Sequence, residues 1–179
     1  MTNSANTYAR ALYDLAAEEA LEAVILQQMQ TLQTAFAAEP DFLRLLANPA
    51  LSKDTRCGIL DDSFRGKLQP YVLNFLKILT EKGYILHFGD CCDGYRALYQ
   101  QAHNILPVTA TTAVPLSPAQ EARLTEKLHT ITGKTIELAN HVDAAVLGGM
   151  RLDFDGKRLD DTVAHRMDAL RAMLQETVL

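Results

Sequence analysis

Apolar residues recur every three or four positions through the first hundred residues, which is the spacing of one face of an α-helix. Prolines and glycines divide this stretch into six predicted helices. Asn48-Pro49 ends the third helix, because the residue before a proline avoids helical geometry. Ser52 is a suitable N-cap for the fourth helix. Pro70 fits the first turn of the fifth helix, and Gly83 fits its left-handed end.

The hydrophobic period changes at Leu106. Beyond it, Val108, Ala110, Thr112 and Val114 alternate with the residues between them, which predicts a strand. A helix start with several agreeing signals comes next.

Ser117-Pro118-Ala119-Gln120 combines a favoured N-cap, a proline at the first helical position and a glutamine that completes a capping box. The predicted helix ends at Gly133. Ile136 and Leu138 then alternate with polar residues, which predicts a second strand.

The C-terminal segment predicts a hairpin followed by a helix. Met150, Leu152 and Phe154 alternate with charged residues, as in a half-buried strand. Asp155-Gly156 accepts the positive φ angles of a tight turn, so that residues 157–160 return as the partner strand. A helical stripe follows at Val163, Met167, Leu170, Leu174 and Val178.

These elements predict an α+β protein with two domains. Residues 1–105 are expected to form an N-terminal six-helix bundle. Residues 106–179 are expected to form a small α/β C-terminal domain. The boundary rests on the change of period alone.

Composition narrows the possible functions. The net charge of −5 argues against a nucleic-acid partner, since phosphate binding usually needs a basic face. No apolar run approaches the roughly 20 residues that span a bilayer. The N-terminus lacks the features of a secretory signal. Arg10 is the only basic residue among the first forty, which argues against an Arg-rich mitochondrial transit peptide. We therefore expect the chain to remain in the compartment where it is made.

The motifs that resemble reactive sites are better explained structurally. Gly133-Lys134-Thr135 lacks the first glycine of a phosphate-binding loop and follows a helix instead of a strand. Gly148-Gly149 is more typical of a bulge or of the close approach of another backbone. Asp153 and Asp155 suit solvated hairpin positions, and Asp160 or Asp161 suits the cap of the last helix. We expect no catalytic residue, cofactor or metal site.

The three cysteines leave one alternative open. Cys91 and Cys92 are adjacent, and no usual pattern of zinc ligands surrounds them. We interpret Cys92 as a small apolar residue packed between helices. A small thiol enzyme using Cys91 or Cys92 is the competing hypothesis, and an unrelated helical adaptor is another.

Several short segments, taken in order, resemble one family along the whole chain. The family is the delta subunit of the bacterial F-type ATP synthase, whose mitochondrial homologue is the oligomycin-sensitivity-conferring protein. The matching segments are Tyr8-Ala9-Arg10-Ala11-Leu12-Tyr13, Leu46-Ala47-Asn48-Pro49, Lys82-Gly83, Val142-Asp143, Leu147-Gly148-Gly149 and Asp160. The sequence departs from the family pattern at Asp161-Thr162, where a Gly-Ser pair is usual, and at Tyr84, where arginine is common.

The resemblance implies a non-catalytic stator subunit that links the catalytic head to the peripheral stalk and so couples proton-driven rotation to ATP synthesis. The implied partners are the N-terminal helix of a head alpha subunit and the b subunits of the stalk. The implied location is the cytoplasmic face of the bacterial membrane, which the protein reaches only indirectly through the complex.

The resemblance also implies a groove for the alpha-subunit helix between the first and fifth helices. Both helices carry more apolar positions than one buried stripe needs, as helix-in-groove binding requires. Tyr8, Ala11 and Ile78 match the family's groove positions most directly. Each candidate could instead face the core of the bundle, because sequence does not show which neighbour covers it. The candidates are Tyr8, Ala11, Leu12, Leu15, Val72, Phe75, Ile78 and Leu79.

Overall fold

The computed structural model describes residues 3–144, 146 and 148–162. The chain divides into two compact units, Met1–Tyr99 and Gln100–Leu179. This division falls before the change of period at Leu106, within the last turns of a helix. Helices and a mixed sheet together make the protein α+β, as the sequence predicts.

Six α-helices and one 3-10 turn occupy most of the described residues up to Ala102. The 3-10 turn covers Ile85–His87 and was not predicted from the sequence. The helices are α1 (Asn3–Glu18), α2 (Glu22–Ala38), α3 (Pro40–Ala47), α4 (Lys53–Phe64), α5 (Pro70–Glu81) and α6 (Phe88–Ala102).

The ends of these helices follow the predicted signals. The Ser52 hydroxyl accepts a hydrogen bond from the backbone N–H of Thr55 at 3.1 Å, which caps α4. Pro70 lies in the first turn of α5. Gly83 adopts a φ of +74°, which ends α5 in the left-handed conformation that glycine favours.

Helix α1 rests on α6 through small side chains. Ala5, Ala9, Leu12 and Ala16 form its buried row, spaced by three or four residues. A Cβ atom at Gly94 of α6 would lie only 3.1 Å from the Cβ of Ala9. The absence of a side chain at position 94 therefore sets how closely these two helices approach.

Tyr95 is the largest fully buried side chain of the first unit. Its hydroxyl donates a hydrogen bond to the backbone carbonyl of Glu22 at 3.1 Å, and its ring meets that of Tyr13 edge to face at 5.5 Å. These contacts connect α6 to α1 and to the first turn of α2.

A four-stranded sheet and one helix form the described part of the second unit. The strands are β1 (Ile105–Thr112), β2 (Thr135–Val142), β3 (Met150–Phe154) and β4 (Lys157–Asp160), and the helix is α7 (Pro118–Thr132). The strand order is β2-β1-β3-β4, with β1 and β2 parallel and the other pairs antiparallel. The residues of its apolar cluster are Leu106, Val108, Ala110, Leu128 and Leu152.

Strand β1 begins earlier than the sequence predicts and includes Pro107. The pairing register explains why a proline is tolerated in this strand. Pro107 pairs with Glu137 of β2, whereas the pairing with β3 begins only at Val108. At Pro107 the strand is therefore a local edge, where the missing N–H does not remove a hydrogen bond between strands. At the other end, Val114 lies outside the strand and is exposed.

The capping box and the hairpin turn are confirmed. Gln120 accepts a hydrogen bond from the Ser117 backbone N–H at 2.9 Å, and both halves of the box are present. Asp155 and Gly156 have φ angles of +48° and +70°, as the tight turn between β3 and β4 requires.

Gly149 confirms the predicted close approach of another backbone. Its φ is +87°, and a Cβ atom there would overlap the carbonyl oxygen of Asp161 and lie 2.9 Å from the Cα of Thr162. Asp160 accepts hydrogen bonds from the backbone N–H and the hydroxyl of Thr162, at 3.0 and 2.6 Å. The predicted last helix, from Val163 onward, and Leu147 lie outside the described residues.

Candidate partner-binding surface

The structure separates the eight predicted groove residues into two groups. Leu12, Val72, Phe75 and Leu79 are buried in the apolar core of the first unit. They are therefore core residues of the free chain. The exposed or half-exposed group is Tyr8, Ala11, Leu15 and Ile78.

On α1 the exposed group forms a row beside the buried one. Tyr8, Ala11 and Leu15 are separated by three and four residues, so that they are neighbours on one side of the helix. Leu15 is 39% exposed. The α1 helix thus has two adjacent apolar rows, and its own unit buries only one of them.

On α5 the corresponding exposed side chain is Ile78, which is 37% exposed between fully buried neighbours such as Leu76 and Leu79. A large aliphatic side chain in this position leaves apolar area in contact with water. Single exposed apolar residues are common on protein surfaces, so Ile78 by itself does not indicate a binding site.

Tyr84 follows α5 and contacts α1, and it is not among the eight groove residues that the sequence predicts. It is 37% exposed, and its ring centroid lies 5.9 Å from that of Tyr8. Its backbone N–H bonds to the carbonyl of Leu79 at 2.8 Å, while that of Gly83 bonds to Thr80 at 3.2 Å. These two hydrogen bonds define a Schellman ending of α5. We call Tyr8, Ala11, Leu15, Ile78 and Tyr84 the α1/α5 surface.

Two of the three charged residues of α1 are acidic, and the third is Arg10. Asp14 and Glu18 are exposed, and each lies three residues after Ala11 or Leu15, respectively. Their charges favour a partner with basic groups along the polar side of its apolar stripe.

The cysteines lack the surroundings of a reactive site. Cys91 and Cys92 are both buried, and burial raises the pKa of the Cys91 thiol to about 11. Burial also raises the pKa of Cys92, whose Sγ atom lies 3.7 Å from the carbonyl oxygen of Met29. A nucleophilic thiol needs a lowered pKa and access, so these positions do not favour a thiol enzyme. Cys92 packs in the core, as predicted.

The other motifs are structural where the structure describes them. Gly133 ends α7 in the left-handed conformation, with a φ of +68°, instead of opening a phosphate loop. Asp153 is paired with Arg158 at 2.6 Å and with Arg151 at 3.3 Å. The hydrogen bond from Arg158 is the main cause that lowers the pKa of Asp153.

The described part of the chain contains neither a metal-binding cluster nor a membrane-spanning helix. No three His, Cys, Asp or Glu side chains are grouped there so that they could hold a metal ion. None of its helices is both long and apolar enough to cross a lipid bilayer.

Known proteins resemble this chain along nearly its whole length. The model of the family described as ATP synthase delta (OSCP) subunit matches residues 5–174. ATP synthase subunit delta of Alkaliphilus oremlandii is 30% identical over 172 residues, which cover 96% of each chain. The protein of the same name from Synechococcus elongatus is 31% identical over 93% of each chain.

A solved structure shows the same fold. A chain in the cryo-EM structure of the Toxoplasma gondii mitochondrial ATP synthase hexamer superposes with a TM-score of 0.73, over 98% of both chains and at 20% identity. ATP synthase subunit 5, mitochondrial, of Pichia angusta is 28% identical to this chain and covers 96% of it.

The fold and the similar proteins are those of a class of non-catalytic assembly subunits, in which a helical unit is followed by a small α/β unit. The family match then makes the assignment specific, and the chain belongs to the ATP synthase delta (OSCP) family. It is a peripheral-stalk subunit of an F-type ATP synthase, which acts as part of the stator in ATP synthesis. Its association with the membrane is through the complex.

Proposed function

We propose that the α1/α5 surface binds the N-terminal helix of an alpha subunit of the catalytic head. The main support is the exposed apolar row of α1 together with Ile78 of α5. The ring contact between Tyr8 and Tyr84 adds to it, because it joins α1 to the residue that follows the end of α5. An amphipathic helix laid on this surface would cover the exposed row of α1 and Ile78 with its apolar face. The six helices then act as one bundle, residues 1–105, that serves as the head-binding domain.

The energetics suit a helix of modest length. Full burial of a Leu or Ile side chain is worth about 1.5–3 kcal/mol, so covering the exposed third of Leu15 or Ile78 contributes roughly 0.5–1 kcal/mol each. The free energy gained from several such contacts, together with that from the apolar area that the partner helix buries, must exceed the entropic cost of ordering the helix. The exposed acidic residues Asp14 and Glu18 add attraction for a basic partner.

Ile78→Asp tests the site. A charge on this half-exposed position can remain solvated in the free chain but becomes unfavourable beneath an apolar helix. We expect binding of a synthetic alpha-subunit N-terminal peptide to weaken at least about tenfold by calorimetry, which corresponds to about 1.4 kcal/mol. The melting temperature should stay close to that of the wild type.

Val24→Asp is the matched control, because Val24 is 41% exposed on α2 and lies outside the α1/α5 surface. It should bind the peptide as the wild type does. Equal affinity in Ile78→Asp and wild type would refute this surface as the site. A collapse of the melting temperature in Ile78→Asp would instead show that Ile78 belongs to the core.

We further propose that the second domain, residues 106–179, holds the b subunits of the stalk at the cytoplasmic face of a bacterial membrane. Two binding sites in separate domains would let the subunit join head and stalk, which keeps the head stationary while the rotor turns. The full-length Ile78→Asp variant should therefore still bind the hydrophilic part of the b subunits in a pull-down. Loss of b binding in this variant would contradict separate sites.

A further inference from the structure

We propose that Tyr84 is a partner-contacting and specificity-determining residue of the α1/α5 surface, where its ring packs against the apolar face of the bound helix. The inference rests on the proposed function and names a contact that the sequence pattern did not indicate. Three observations carry it: the position of Tyr84 after α5, its ring contact with α1, and its exposure.

The Schellman ending fixes the Tyr84 backbone relative to α5. In this motif the residue after the left-handed glycine commonly makes an apolar contact with a side chain in the last turns of the helix, at the positions that Ile78 and Leu79 occupy here. The backbone hydrogen bond from Tyr84 to Leu79 holds that geometry independently of the tyrosine side chain. Tyr84 therefore places a half-exposed aromatic ring just after the end of α5, in contact with Tyr8 of α1.

The ring contact completes the bridge. Tyr84 meets Tyr8 in a tilted arrangement, with an interplanar angle of 49°, and its ring centroid also lies 6.1 Å from that of His87. Aromatic neighbours at such distances attract one another and restrict the rings. A partner helix would thus meet a ring that is already ordered, at little cost in side-chain entropy.

The ring also gives the surface a specificity of its own. A tyrosine face accepts aliphatic and cationic groups but offers no charge for an acidic one. We therefore expect a partner helix with an aliphatic or basic residue opposite Tyr84, and we expect an acidic residue at that position of the peptide to weaken binding.

Binding of the alpha-subunit N-terminal peptide to full-length variants tests the inference. Tyr84→Ala should weaken binding about tenfold, whereas Tyr84→Phe, which keeps the ring, should bind within about twofold of the wild type. Leu86→Ala is the matched control, since Leu86 is 58% exposed two residues later, and it should leave the affinity unchanged. Melting temperatures measured for all variants separate loss of binding from loss of fold.

A second measurement distinguishes direct contact from an effect on Tyr8. The chain has no tryptophan, so Tyr84→Trp creates a single fluorophore. A tryptophan-free peptide should shift its emission to shorter wavelength and protect it from quenching by acrylamide, whereas Leu86→Trp should show neither change. If Tyr84→Trp folds but fails to bind the peptide that Tyr84→Phe binds, the larger ring blocks the site, which also supports contact.

Failure of the inference differs from failure of the proposed function. If Ile78→Asp loses binding while Tyr84→Ala binds normally, or if Tyr84→Phe loses as much affinity as Tyr84→Ala, the proposed role of the ring is wrong and the surface stands. If neither Ile78→Asp nor Tyr84→Ala changes the affinity, the proposed function of the surface itself is wrong.

Discussion

At the scale of single residues, Arg56 shows how tertiary structure can reverse a local preference. It lies in the first turn of α4, where the helix dipole disfavours a cation. Its side chain is nevertheless buried, and its Nη1 atom donates to the carbonyl oxygens of Leu46 at 3.1 Å and Thr80 at 3.3 Å. These carbonyls lie in the last turns of α3 and α5, where a positive charge is favourable.

Replacing Arg56 should therefore destabilise the first unit. We expect Arg56→Met to lower the free energy of unfolding by about 2 kcal/mol, because hydrogen bonds from a charged donor to two helix ends are lost. Urea titration followed by circular dichroism measures this. Arg44→Met is the control, since Arg44 pairs with Asp41 at an exposed site and should change stability by less than about 1 kcal/mol. Equal losses in both variants would contradict this role.

Gly149 gives a second prediction at this scale. Gly149→Ala should destabilise the second unit by more than about 2 kcal/mol, because the new Cβ would overlap the backbone of Asp161 in addition to occupying a left-handed conformation. Gly133→Ala shares the positive φ but meets no atom within 4 Å, and it should lose only about 1–2 kcal/mol. Thermal unfolding of both variants gives the comparison, and the prediction is wrong if their losses are equal.

At the scale of elements, helices whose ends carry local signals could be predicted from sequence. Ser52, Gly83 and the capping box of Ser117 act on the backbone within a few residues of themselves, so the chain around them is sufficient. The start of β1 was misplaced because the tolerance of Pro107 depends on which strands pair there. Tyr84 is not among the predicted groove residues for the same reason. Its candidate role depends on its contact with Tyr8, which is distant in sequence.

The candidate site shows the same limit. Periodicity identified apolar rows on α1 and α5, but it could not decide which members are covered by neighbours. Leu12 and Leu15 are both apolar and one turn apart, yet only Leu12 is buried. The difference depends on the packing of α1 against other helices, which no local pattern encodes.

Two helix glycines provide a prediction about packing between elements. Gly58 of α4 has open space where a Cβ would lie, so Gly58→Ala should raise stability by about 0.5–1 kcal/mol through helix propensity. Gly94 of α6 faces Ala9, so Gly94→Leu should lower stability by about 1–3 kcal/mol by forcing α1 and α6 apart. Chemical denaturation checks both signs, and a stabilised Gly94→Leu would contradict the packing argument.

At the scale of the whole molecule, buried thiols make stability depend on alkaline pH. The pKa of Cys91 is raised from 9.0 to about 11, and that of Cys92 is raised as well, in both cases chiefly by burial. The folded chain therefore retains protons that the unfolded chain releases above pH 9. For Cys91 this contribution is fully present below pH 9 and is lost as the pH rises toward 11.

We expect the free energy of unfolding to fall between pH 9 and pH 11, with a slope of up to about 1.4 kcal/mol per pH unit for each thiol. Urea titrations of the wild type and of the Cys91→Ala, Cys92→Ala double variant at several pH values measure the slope. The double variant should show a shallower decline from pH 9 to 10. Burial also raises the pKa values of Tyr13 and Tyr95, but from an ordinary value of 10.0, so these tyrosines contribute mainly above this range. An unchanged slope would mean that these thiols do not control it.

The burial of these two cysteines has a practical consequence for studies of the working complex. Cys57 is the remaining thiol of the three, and it is only partly buried on α4. A maleimide dye should therefore label the natural sequence at one site, without introduced cysteines. The peripheral stalk could then be followed by single-molecule fluorescence through a fluorophore at position 57 while the rotor turns.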